Sequence, residues 1–155
     1  MDKTTELIAK LENTAATYAS TLEGASSDSL TKRPDEKNWA PVEIICHIRD
    51  VEESYMNSFK TILEVEDFKF QAGYADRWAE ERQYLRNDTF RALSAFRARR
   101  KETVEFLKAS KPEQWERAGI HPRHGRRTIA ELVKGLADHD SNHLDQLKRA
   151  LAGQA

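Results

Sequence analysis

His139 and His143 stand four residues apart in the stretch Thr128–Leu151, and on a helix that spacing puts both imidazoles on one side, one turn apart. Two imidazoles so placed can reach one point beside the helix. A third ligand from a neighbouring helix completes a set of three nitrogens with coordination positions left open, the arrangement a catalytic divalent metal needs. His47 is the candidate third ligand, because it flanks the apolar stripe of an earlier amphipathic segment and so faces the groove toward a neighbour. A cation held by three neutral imidazoles keeps its charge, so it can bind and deprotonate a thiol or a water.

Other polar residues fall where apolar ones are expected. On a wheel of about 100° per residue, Ile129, Leu132, Val133, Leu136, Leu147 and Leu151 share one sector, and Asp140 lies near its centre. His139-Asp140-x-x-His143 resembles the His-Glu-x-x-His arrangement of zinc proteases with Asp in place of the general base. Asp140 is thus a candidate general base of a metal hydrolase, although its side chain is one methylene shorter. Alternatively Asp140 or Asp50 orients a ligand histidine. Arg100 falls at the centre of the apolar sector of the segment Asp88–Ala109 and Arg97 within it, while Arg91 and Arg99 point away. These two guanidiniums are candidates to grip a substrate or cosubstrate carboxylate; the plainer reading is a buried ion pair with Asp140. Cys46 is turned about 100° from His47 and is not expected to serve the same site. His121 and His124 sit among Arg123, Arg126 and Arg127 in a loop best read as solvated and basic.

Four long amphipathic helices are needed to position these groups. The first carries Leu7, Ile8, Leu11, Ala15, Tyr18 and Leu22 and stops at Gly24. A polar connection with at most a short helical turn leads to Trp39, expected to cover the bundle end. The second helix starts at Pro41 and runs to about Leu63, with Ile44, Ile45, Ile48, Val51, Tyr55, Phe59 and Ile62 as its stripe. Residues 64–77 read as a loop whose Phe68, Phe70 and Tyr74, with Trp78 just beyond, are too apolar for a free linker, so it should pack over the bundle. The third helix starts near Asp88 and carries Phe90, Leu93, Phe96, Val104 and Leu107 to about Ala109. Residues 110–127, with Gly119, Pro122 and Gly125, cannot be one regular helix. Thr128 and Glu131 form a capping-box signature for the fourth. All-α architecture as a four-helix bundle follows.

Length and composition bound the function. A chain of 155 residues suits one domain with one substantial core. Its 25 basic and 26 acidic residues leave a net charge of −1, which argues against nucleic acid as a partner. No signal-peptide pattern or membrane-spanning stretch is apparent, so no membrane association and a cytoplasmic location are expected. The single cysteine excludes an internal disulfide and fits a reducing compartment.

The run Trp39-Ala-Pro-Val-Glu-Ile-Ile-Cys-His-Ile-Arg-Asp50, together with Thr128-Ile-Ala-Glu-Leu132 leading to His139-x3-His143, resembles the DinB/YfiT-like superfamily over nearly the whole chain. The resemblance implies a four-helix bundle with a divalent metal, Zn, Ni, Mn or Fe, on His47, His139 and His143. It also implies a transferase using a low-molecular-weight thiol such as bacillithiol, mycothiol or glutathione against an electrophile, and a homodimer. A hydrolase, or a bundle that binds metal or ligand without turnover, are the alternatives. Ala40 departs from the pattern, since a serine commonly caps the helix there.

Overall fold

The computed structural model describes residues 2–71 and 75–155, so Tyr74 lies outside the described residues. Four long helices dominate: α1 (Lys3–Leu22), α3 (Pro41–Glu64), α5 (Thr89–Ala109) and α7 (Ile129–Leu151). Their ends are set by local chemistry. Asp2 accepts a bond from the Thr5 amide, Asp88 from the Arg91 amide, and Thr128 from the Glu131 amide, each satisfying a first-turn N–H that the helix itself leaves free. At α3 the cap residue is Ala40, which has no side-chain acceptor. Glu43 compensates in part: its carboxylate accepts from the Ala40 amide at 3.0 Å and is held by the Arg33 guanidinium fork at 2.7 and 2.8 Å.

Each long helix packs on two others. α1 lies against α5 and α7, and α3 against the same two, so α1 and α3 are diagonal and the connection between them crosses the end of the bundle. Short α2 (Ser27–Leu30) and Trp39 lie on that crossing. Two apolar clusters share the interior. One contains Tyr18, Leu22, Ile44, Ile48, Phe96 and Leu147; the other contains Leu11, Phe59, Leu107, Val133 and Leu136. α1 and α7 run from the second cluster to the first, and α3 and α5 run the other way. Between the clusters lies a polar layer made by Glu52, Arg100 and Asp140, all nearly or wholly buried.

The connections hold structure that periodicity does not show. Residues 75–81 form α4 (Ala75–Glu81), followed by a 3-10 turn at Tyr84–Arg86. After α6 (Pro112–Trp115), β1 (Ala118–His121) and β2 (Gly125–Thr128) make an antiparallel hairpin. The segment around Lys69 docks on it: the Phe70 amide donates to Ile120 O at 2.9 Å and the Ile120 amide to Phe68 O at 2.7 Å. The loop therefore packs down as expected, through backbone pairing as well as through Phe68 and Phe70. Gly119 is required at this contact, because a Cβ there would sit 2.5 Å from Phe70 Cζ. Phe90, counted above as apolar stripe, is 49 % exposed, because it falls outside the arc that buries its neighbours Thr89, Ala92 and Leu93.

Candidate metal centre

His47 comes from α3 and His139 and His143 from α7, two helices that pack side by side. One ligand nitrogen from each lies within 4.8 Å of the others. His47 Nε2 and His139 Nε2 face each other at 3.0 Å. Two imidazole lone pairs are not stable at that separation unless a proton or a cation lies between them. An ion about 2.1 Å from each nitrogen holds neighbouring ligands about 3.0–3.5 Å apart, so the spacing fits a metal.

The surroundings favour neutral, ligating rings. Burial, and then the adjacent His143 and His139 rings, push His47 down to about 3. His143 is lowered by burial and by His139. Gln146, one turn further along α7, has its Oε1 2.7 Å from His143 Nδ1. Its acceptor oxygen assigns the proton to Nδ1 and leaves Nε2 free to ligate. Among the described residues, Nδ1 of His47 and of His139 are buried without hydrogen-bond partners. Asp140 Oδ1 lies 3.6 Å from His139 Nδ1, about 0.4 Å beyond an ordinary hydrogen bond. Trp39 completes the wall, nearly parallel to His143 at 6.2 Å between centroids and tilted on His47 at 5.0 Å. It borders the site as well as closing the bundle end, which the sequence reading did not anticipate.

The remaining candidates separate. Arg100 is buried and fully engaged: Nε and Nη2 meet Glu52 at 2.7 and 2.6 Å, Nη2 meets Asp140 Oδ2 at 2.5 Å, and Nη1 donates to Leu11 O at 2.9 Å. The ion pair across the bundle is therefore present, with Glu52 as an additional partner. Arg97 is exposed, contrary to its place on the wheel. It lies about 100° round from buried Phe96, just outside the narrow buried arc of α5, and its long side chain reaches water. Arg99 also departs from expectation, turning inward to donate to Arg49 O at 3.0 Å and to pair with Glu53. Asp50 does not orient a histidine. It accepts from Arg49 at 2.8 Å and Tyr84 at 2.6 Å and pairs with Arg82 at 3.0 Å. Cys46 is wholly buried in the apolar cluster, where burial pushes its thiol up to about 11. His121 and His124 stack at the hairpin turn, and the His121 Nδ1 lone pair accepts from the Arg123 and His124 amides.

Fold and site together define a four-helix bundle with a three-histidine centre able to bind a metal. Residues 10–147 match the DinB superfamily, and the chain belongs to it. Over its full length it is also similar in structure to YfiT from Bacillus subtilis, described as a probable metal-dependent hydrolase with an unusual four-helix bundle topology. The TM-score is 0.87 at 18% identity, and 91% of YfiT is covered. No curated protein matches the sequence. Among the described residues, no helix is long and apolar enough to cross a membrane.

Proposed function

We propose that this chain is an enzyme in which His47, His139 and His143 hold a divalent metal ion and a low-molecular-weight thiol supplies the nucleophile for transfer to an electrophile. The observation that supports it is a convergent set of ring nitrogens whose nearby protein groups are committed elsewhere. Asp140 is tied to Arg100, and the Cys46 thiol is sealed in the core with its proton held on. Bound at such a site, a divalent ion supplies positive charge and an open position at which a thiol loses its proton readily.

The chain's residues hold and shape that site. Gln146 keeps His143 in one tautomer, Asp140 stands 3.6 Å from His139 Nδ1, and Trp39 packs against the His47 and His143 rings. Hydrolysis is the second reading, favoured by the likeness to YfiT, with water taking the place of the thiol. In that reading too, Asp140 does not act as general base, because its carboxylate is 1 % exposed and already paired.

Elemental analysis of untagged protein after exposure to Zn²⁺, Ni²⁺ or Mn²⁺ and desalting is the first test. Wild type is expected to retain about one metal per chain and His139→Ala and His143→Ala little. The metal-loaded protein is then assayed with bacillithiol, mycothiol or glutathione and a chloronitroarene, and separately with activated esters without thiol. Metal-dependent conjugate formation supports the transferase, and ester turnover without thiol supports the hydrolase. Equal, low metal in wild type and variants overturns both.

A further inference from the structure

A groove of about 680 Å³ runs beside the histidine centre, within the range of sites that take small organic ligands, about 300–1,000 Å³. Its floor is the face of α3 that already carries His47. Val51, Ser54 and Ser58 all fall within about 40° of His47 on a wheel of about 100° per residue. The groove thus begins one turn beyond the histidine and follows α3 for about 10 Å at about 1.5 Å per residue. Phe70, Trp78 and Arg82 form the facing wall. Tyr55 lies at the edge toward α7, its hydroxyl 3.8 Å from where a Cβ on Gly135 would stand, one turn before His139.

Arg82 on Trp78 and the paired rings of Phe68 and Phe70, with Lys69 between them in sequence, mark two parts of this groove. Arg82 lies at the end near His47, fixed by its ion pair with Asp50 at 3.0 Å and by stacking on Trp78 at 4.2 Å, yet its side chain is 46% exposed. The two carboxylates there are already engaged: Asp50 by Arg49, Tyr84 and Arg82, and Glu53 by Arg99. Among the described residues, Arg49, Arg82 and Arg99 meet these two carboxylates, one guanidinium more than they neutralise, and Arg82 is the one of the three that lines the groove. The far end is aromatic, with Phe68 and Phe70 edge to face.

We propose that this groove binds an organic anion, its charged group on Arg82 and its aromatic or aliphatic body lying along α3 against Tyr55, Phe70 and Trp78. The assignment of that ligand as the substrate rests on the metal-centre reading above; the binding itself does not. The probes are 1-anilinonaphthalene-8-sulfonate and its uncharged analogue N-phenyl-1-naphthylamine, titrated by fluorescence against wild type, Arg82→Gln, Ser54→Trp and His143→Ala, each checked for folding by circular dichroism. Saturable one-to-one binding of the sulfonate is expected in wild type. It should weaken about tenfold or more in Arg82→Gln, as loss of a charge-assisted contact predicts, while the neutral dye is unaffected. Ser54→Trp, which fills the groove from an exposed position, should block both. His143→Ala should bind both dyes as wild type does whatever its metal content, so failure of the metal centre is read separately. Unchanged sulfonate binding in Arg82→Gln, or in folded Ser54→Trp, overturns the proposal.

Discussion

Arg100 shows how one residue can look like a ligand and act as a clamp. Its guanidinium is 2 % exposed and joins α5 to Glu52 of α3, Asp140 of α7 and the Leu11 carbonyl of α1. Arg100→Met would leave two carboxylates buried without their partner, and unfolding in urea is expected to show a loss of about 3–5 kcal/mol. Gln146→Leu removes the partner of His143 Nδ1 from a partly buried position, and competitive chelator titration should find metal affinity about 10–100-fold weaker with little change in stability. The depressed His47 sets a pH dependence. Its ring takes a proton near 6.5 when unfolded and at about 3 when folded, so the unfolded chain binds more protons in that interval. The contribution is complete above pH 6.5 and is lost as pH falls toward 3, with a slope of up to about 1.4 kcal/mol per pH unit. Metal-free protein should show a lower urea midpoint at pH 5 than at pH 7, and His47→Gln should flatten the difference. The histidines and Asp140 were legible because helical periodicity exposes a polar residue on an apolar face. Glu52 carries the same signal, four residues after Ile48 and seven before Phe59, and the same wheel would have found it. Gln146, three residues after His143, becomes visible only once His143 is taken as a ligand.

At the scale of elements, the four long helices were readable because each has a stripe and three have side-chain caps. The helix without one offers a direct test. Ala40→Ser places a hydroxyl at the N-cap of α3, where the backbone is already extended, and thermal unfolding should show a gain of about 0.5–1 kcal/mol. The hairpin and α4 were not readable. β1 and β2 are four residues each, too short for a period-2 pattern, and the hairpin is held partly by the backbone of residues 68–70, a contact that side-chain patterning does not encode. α4 is seven residues long, less than two helical turns, and its place depends on packing against α3. Gly119→Ala probes this assembly: with Phe70 Cζ 2.5 Å from the new Cβ, the loop or the hairpin must shift, and a loss of about 1–3 kcal/mol is expected from the same unfolding measurement.

At the scale of the whole molecule, α1 pairs with α5 and α7 and lies diagonal to α3, so its partners are the two later helices of the chain. Helix count and order could be read from the sequence. Which helices are neighbours could not, because the stripe on α1 is apolar toward whatever covers it. The polar layer supplies the missing specificity, since Glu52, Arg100 and Asp140 are satisfied only when α3, α5 and α7 meet at one level. The histidine centre lies on the α3–α7 seam of this arrangement, and its halves, His47 and His139, are 92 residues apart. An ion gripped by both would act on the chain as a reversible cross-link. A covalent bridge over such a span would act by restricting the unfolded ensemble, whereas an ion held only while both helices are docked stabilises the folded chain by mass action, by about 2.7 kcal/mol when free metal is about 100 times its Kd. Removal of the ion by a chelator would then act as an unzipping, with the α3–α7 seam loosening first and the adjoining cluster of Tyr18, Ile48 and Leu147 following it.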